Sequence, residues 1–503
     1  MADANTAYQN LVKNAKETAA LTTVEELLNW DQRTLMPRNA AGYRAEQITL
    51  LSGLIHDKVT DPRRGDWLRC VLDDPNLDPS SDRAANARVL LKTYEKQRKL
   101  PRLLVEEIAK TRVLAHQSWV NAREQDQFSL FEGDLTRIVQ LFIEKTEAIG
   151  FTSCCYDVLL DDFEPDAKTA DISRVFSELK SDLVPLIRSI SECTQKPNPE
   201  IIRRTYDISK QREVGIQAAQ LIGFDLDSGR LDVTHHPFCC TLGPEDIRIT
   251  TRYQERFFNS AFFGTLHEAG HGLYEQGLRR EQFGLPAGEY CSLGIHESQS
   301  RLWENMVGRS RSFWEFFFPE LQKRFGTVLS GVSSKEFFDA VNFVEPSLVR
   351  VEADEATYSL HVIIRFELEQ LLFNGELQVS DLPEAWNQKY LDLLGLSAPN
   401  ATLGVLQDVH WSEGLFGYFP TYALGNLYAA QFLDSARSQL GDLDTLFSRG
   451  EFEPLLTWLR THVHQPGNSL SAKDILENAT GQELSHQPMI DYLKTKYTSI
   501  YNL

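Results

Sequence analysis

Apolar residues recur at helical spacing through almost the whole chain, and the pattern breaks only once, which leaves few architectures open to it. Residues 4–30 carry that spacing and end near Trp30-Asp31, and 38–60 repeats it. Residues 80–125 are rich in Ala, Leu, Glu, Lys and Arg, the types that cost least in a helix. Segments 131–150, 167–195, 198–222, 334–345, 347–373 and 421–440 are expected to be helical too. The exception is 231–253, LDVTHHPFCCTLGPEDIRITTRY. Its alternation, its β-branched residues and the turn signal at Gly243-Pro244 predict a hairpin within a small sheet. No internal repeat and no Gly/Ser/Pro-rich spacer divides the 503 residues. The expectation is a mainly α protein with 1–503 as a single large helical domain holding a cleft. Its N-terminal helical part would cover about 1–225, and the part bearing the groove and metal site about 226–503.

Composition removes several roles. A formal charge of −20 opposes binding to nucleic acid or to an anionic membrane, both of which select basic surfaces. The first 18 residues are polar and mixed in charge, unlike a signal peptide, and no run of about 18 apolar residues is present to span a bilayer. The seven cysteines include two adjacent pairs, Cys154-Cys155 and Cys239-Cys240, and no CxxC. Neither a disulfide framework nor a thiolate metal site is expected, and a reduced, cytoplasmic protein is the natural reading.

The chemistry is concentrated at His267-Glu268-Ala269-Gly270-His271. Four residues apart on a helix, the two imidazoles share one face and can reach a single ion. Asn259 or Ser260 would cap that helix, and Phe262, Leu266, Ala269 and Leu273 give it an apolar stripe. Glu268 falls beside the ion, where a general base can deprotonate a water held on it. An isolated HExxH also arises on solvated helix faces by chance, about as often as it marks a site; the apolar surroundings favour the site.

A catalytic zinc needs a third protein ligand. The stretch Leu278–Gln282 lacks the Gly and His of a metzincin continuation. Glu297, in His296-Glu297-Ser298-Gln299, follows His271 by 26 residues, enough for a helix–loop–helix return. The second helix is expected from Ser298 to Arg309, with Glu297 kept ionised at its N-terminus. A helix-terminal carboxylate without metal is the competing reading. For His296, support of a ligand from behind is preferred to direct ligation.

With those residues in place, the sequence closely resembles the carboxypeptidase Taq family of metallopeptidases. His236-Pro237-Phe238 matches HPF, and Asp246-Ile247-Arg248-Ile249-Thr250 matches DxRxT. HEAGH at 267–271 and HESQ at 296–299 follow. Val349–Asp354 matches [IV]RxxAD, and Gly404–Trp411 matches GxxQDxHW. The resemblance implies a helical, saddle-like body with a deep groove, similar to angiotensin-converting enzyme and neurolysin. It implies a homodimeric, broad-specificity carboxypeptidase acting on peptides with a free C-terminus, with proline disfavoured. His267, His271 and Glu297 would hold zinc, or cobalt, and Glu268 would be the catalytic base. His236 of HPF is carried over as substrate-binding.

The remaining motifs have physical readings beside the resemblance. In a strand, Asp246, Arg248 and Thr250 share one face, and that strand is expected to line the groove and offer backbone groups to a peptide. A structural Arg–Asp pair competes evenly with a substrate role for Arg248. Arg350 is the first candidate for holding the substrate carboxylate, because its fork matches two oxygens at once. Asp354 would position it from one turn further along a helix begun by Pro346; a solvated ion pair is the bland alternative. His410 and Tyr418, with Tyr422 as the other tyrosine, are expected to hydrogen-bond the developing oxyanion or the substrate, as in related gluzincins. His235, His361, His462 and His464 match no ligand spacing and are expected to be structural. The alternative activities are an oligopeptidase or dipeptidyl carboxypeptidase of the same helical superfamily, or a binding scaffold with a dead site. An aminopeptidase is disfavoured because Trp303-Glu304-Asn305-Met306 lies after HEAGH, not before it.

Overall fold

A computed structural model describes residues 3–503 and is mostly helical. The first helix, Ala4–Thr34, opens on Asp3, whose carboxylate accepts from the amides of Asn5 and Thr6. Ala41–Val59 follows as expected. The 80–125 stretch is two helices, Asp82–Arg98 and Arg102–Gln125. They part at Pro101, which has no amide to donate and disfavours helix in the residue before it. The 347–373 stretch also differs from expectation. Its helix is only Tyr358–Phe373, and Arg350–Glu352 is an isolated 3-10 turn.

The β-patterned segment forms three strands, β1 (Gly229–Val233), β2 (Cys239–Gly243) and β3 (Asp246–Thr251), in the order β1-β3-β2. The predicted hairpin is β2–β3, closing with Gly243 opposite Asp246. The third member, β1, pairs parallel with β3. Ile247 and Ile249 of β3 are fully buried.

Two compact units divide the chain, each built from interleaved segments. The first comprises Met1–Gln97, Asn198–Val341 and Tyr428–Glu483, and it contains the sheet and the HEAGH helix. Aromatic side chains dominate its core: Phe258 stacks on Phe262, and Trp314 packs against Phe337 at 4.7 Å. The second comprises Arg98–Pro197, Asn342–Leu427 and Leu484–Leu503. Its Tyr358–Phe373 helix is buried on nearly every face and carries the buried polar side chains His361, Arg365 and Glu369 among its apolar ones. The Gln487–Tyr501 helix pins the segment before it in space: Lys496 pairs with Glu355 at 2.6 Å, and the Tyr501 hydroxyl accepts from the Val344 amide at 2.8 Å. No described helix is long and apolar enough to cross a membrane, and among the described residues no disulfide joins any of the seven cysteines.

Candidate metal centre and arginine cluster

HEAGH lies in the Phe258–Gly277 helix. Neither Asn259 nor Ser260 caps it; the helix begins earlier, after Phe257, and Asn259 donates its side-chain amide to the Val341 carbonyl. The expected stripe of Phe262, Leu266, Ala269 and Leu273 is buried. Gly270 has a specific packing duty. A Cβ there would meet the Gln299 carbonyl oxygen and the Ser300 Cα at 2.6 Å, so only glycine lets the HESQ helix approach this closely.

That second helix runs Leu293–Arg301 from a Ser292 cap and passes into a π-helical turn, Leu302–Val307. Glu297 therefore sits beyond the first turn and not at the helix N-terminus as expected, and its close partner is the Arg301 guanidinium. Glu297 Oε2 lies 3.5 Å from His271 Nε2 and 3.9 Å from His267 Nε2. Among the described residues these three side chains form the one metal-competent group, with donor atoms all within 4.8 Å of one another.

The donors suit a divalent cation because their outer atoms are already engaged. His267 Nδ1 meets Glu304 Oε2 at 2.9 Å, and His271 Nδ1 meets His296 Nδ1 at 2.6 Å. His296 Nε2 in turn meets Glu275 Oε1 at 2.8 Å, and Glu275 accepts from Thr241 of β2. Each imidazole is thus held from behind with Nε2 left for an ion, the arrangement that fixes ring orientation in histidine sites. His296 thus stands behind His271. Glu268 is buried beside them, and burial first, then the carboxylates of Glu297 and Glu304 working against His267, push its pKa up to about 7.

The sheet motifs sit otherwise than expected. β3 is the central strand, paired on both edges, so its backbone has no ladder position left to offer a peptide. Arg248 makes two bonds to Asp246 of its own strand, each 2.8 Å, and lies over the Trp30 ring. Thr250 fastens the HPF segment by bonding both the amide and the carbonyl of Phe238. His236 is exposed between β1 and β2.

In the second unit, Arg350 is almost fully buried. Asp354 does not position it. No helix starts at Pro346, and the Asp354 carboxylate is consumed by the amides of Glu345, Ala356 and Thr357 at the entry to the Tyr358–Phe373 helix. The partner is Asp408, whose Oδ1 accepts from Arg350 Nη2 at 2.8 Å and Nε at 3.1 Å. The other oxygen, Oδ2, takes Arg365 Nε at 2.6 Å, and Gln407 Oε1 accepts from both the Arg350 amide and Arg365 Nη2. Burial alone would raise the Asp408 pKa; the two guanidiniums outweigh it and hold the carboxylate far below its usual range. His410 lies beside this group, its pKa lowered to about 3 by burial and then by Arg350, so it is neutral at pH 7. Its Nε2 is 3.4 Å from the Tyr422 hydroxyl, and its ring is 5.5 Å from that of Tyr418.

Sequence reasoning missed Arg301, Glu304, Glu275, Asp408, Arg365 and Glu369. The first two carried a signal, since Glu297, Arg301 and Glu304 stand at i, i+4 and i+7 on one helix face. Glu369 carried none. Buried in the second unit, it accepts from Tyr156, from Trp411 Nε1 and from the Gly417 amide, and so fastens both ends of the turn that presents His410. His361 and His464 are buried and bonded to Tyr390 and Gln299, consistent with structural roles.

Comparison with known proteins adds a family. Residues 10–497 match the carboxypeptidase Taq (M32) metallopeptidases. Thermostable carboxypeptidase 1 of Thermus thermophilus is 46% identical, across 98% of this chain and 99% of that protein. Carboxypeptidase 1 of Bacillus subtilis is 40% identical, across 95% of each. Among solved structures, the M32 carboxypeptidase from Deinococcus radiodurans superposes with a TM-score of 0.97 at 38% identity, covering 99% of this chain and 100% of that one.

Proposed function

The chain belongs to the carboxypeptidase Taq (M32) family and is a metallocarboxypeptidase, and on that premise we propose how its residues carry out the reaction. His267, His271 and Glu297 hold the cation, zinc by their donor chemistry with cobalt as a competent substitute. The cation supplies Lewis acidity, lowering the pKa of water and polarising the scissile carbonyl. Glu268 takes the proton from the attacking water and delivers it to the leaving amine. A carboxyl whose pKa burial has brought to about 7 is suited to both acts near neutral pH. His410, neutral, and Tyr418, with Tyr422 as the alternative, donate hydrogen bonds to the oxyanion or the substrate.

Arg350 receives the substrate's terminal carboxylate. Three of its five N–H groups bind Asp408 and Tyr358, which among the described residues leaves two for a ligand. The cluster Arg350–Asp408–Arg365 carries two positive charges against one negative, and a substrate carboxylate balances it. Arg248 and His236 remain candidates for contacting the peptide further from the scissile bond. The Asp354 carboxylate acts only through the segment it caps.

The observation that carries this reading is the convergence of His267, His271 and Glu297 with a buried Glu268 among them. The family match over 10–497 supports one catalytic domain across the chain. Broad specificity, poor cleavage at proline, a homodimer and a cytoplasmic location complete the proposal, the dimer being open to light scattering. The test of mechanism is peptide digestion read by mass spectrometry. The native chain should release single residues in succession from the C-terminus, and Glu268→Gln should release them at least about 100-fold more slowly. Undiminished release by that variant would remove Glu268 from the reaction.

A further inference from the structure

The Arg301 guanidinium ties together the outer sides of two ligands. Its Nε donates to Glu297 Oε1 at 2.7 Å, and its Nη1 donates to Glu304 Oε2 at 3.2 Å. That same Glu304 oxygen meets His267 Nδ1 at 2.9 Å. Glu297 consequently has two unlike oxygens. Oε1 is engaged by Arg301, and Oε2 is the atom turned toward His267 Nε2 and His271 Nε2.

This asymmetry matters because a carboxylate can give a cation one oxygen or both. Giving both fills a coordination position that a catalytic site has to keep open for water and substrate. Among Glu297's neighbours, a guanidinium bonded to Oε1 opposes the second contact, both by occupying the oxygen and by repelling a cation drawn toward it. The positive charge would by itself weaken metal uptake. Glu304 offsets it, and Arg309 Nη2 stands 3.6 Å from the other Glu304 oxygen. The π-helical turn begins directly after Arg301 and contains Glu304; such wide turns recur at functional sites.

We infer that Arg301 is a positioning residue that confines Glu297 to a single free oxygen toward the cation, with Glu304 neutralising it and orienting His267. The two residues then have separable effects. Removing Arg301 changes how Glu297 binds and leaves uptake intact. Removing the Glu304 charge weakens uptake itself.

The inference rests on reading the site as a cation centre, and cobalt tests both parts. The full-length protein is stripped of metal and refilled with Co2+, whose visible absorption weakens as its coordination number rises. In Arg301→Met, Co2+ affinity should stay within about 3-fold of native or tighten, the absorption should weaken, and kcat should fall at least about 10-fold with KM little changed. Arg301→Lys keeps the charge without the fork; it should shift the spectrum in the same direction, and it serves if the Met variant does not fold. Glu304→Gln should lose about 10- to 100-fold in Co2+ affinity. A native spectrum and native kcat in the Arg301 variants would overturn the inference. So would a parallel loss of Co2+ affinity and melting temperature with the spectrum unchanged, which marks a merely structural arginine. A native chain that takes up no Co2+ would overturn the cation reading and the inference with it.

Discussion

In the first unit, Glu268, Glu297 and Glu304 lie around two imidazoles, with Arg301 and Arg309 as the nearby guanidiniums. In the second, Arg350 and Arg365 share the one carboxylate of Asp408, beside a histidine that stays neutral. Both groups are buried and hydrogen-bonded, yet neither is balanced in charge. One has carboxylate to spare and the other guanidinium. Uncompensated charge is expensive to bury, so each imbalance is retained at a cost in stability. Under the proposed function a cation offsets the first and the end of a peptide offsets the second.

That contrast can be broken from either side. The largest effect belongs to the metal centre: Glu268→Gln should lower kcat by about 10²- to 10⁴-fold while metal binding, measured by chelator competition, is kept. A variant that lost metal to the same degree would place Glu268 among the ligands. Next comes Asp408→Asn, which strands two buried guanidiniums. It should cost about 3–5 kcal/mol of stability in denaturant unfolding, and a cost under about 1 kcal/mol would show that the cluster is not held by its carboxylate.

Arg350→Met sharpens the comparison by removing the proposed anion receptor alone. It should reduce kcat/KM by about 30-fold or more on peptides with a free C-terminus and leave Co2+ affinity native. Equal losses on free and amidated peptides would indicate a packing role instead.

The smallest effect is in pH. Folded His410 titrates near 3, whereas a histidine in the unfolded chain titrates near about 6.5. Between those values the unfolded chain binds the extra proton. The His410 contribution is therefore complete above about pH 6.5 and is lost progressively as pH falls toward 3. His410→Gln should flatten the decline of urea midpoints between about pH 7 and 5, and an unchanged slope would assign that decline to other groups.

What the sequence disclosed follows the range of the interactions. His267 and His271 were legible because four residues on a helix set their geometry locally, and the sheet because its alternation and turn are local too. Glu297 was legible by its chemistry, although its helix starts at Leu293 and so gives no terminal dipole to it. Arg301 and Glu304 share a helix face with Glu297, but such i, i+4 and i+7 charge spacing is equally common on solvated helix faces and does not by itself mark a site. The Arg350–Asp408 pair was out of reach. The residues are 58 apart in sequence, and helical spacing offered Asp354 as a nearer partner. That spacing failed because Asp354, Thr357 and their amides form a cap, a local bond that competes with helix. Glu369 was hidden for the same reason as Asp408, since its three donors lie 42 to 213 residues away.

The division of labour between the two groups is tested most directly by one digestion. A short peptide and its C-terminal amide are incubated with the native chain and with Arg350→Met, and the products are followed by mass spectrometry over time. The account predicts rapid removal of the last residue from the free acid, resistance of the amide, and loss of that discrimination in the variant. Equal cleavage of acid and amide by the native chain would contradict it, leaving the metal centre as a peptidase site but withdrawing from Arg350 the choice of the C-terminal bond.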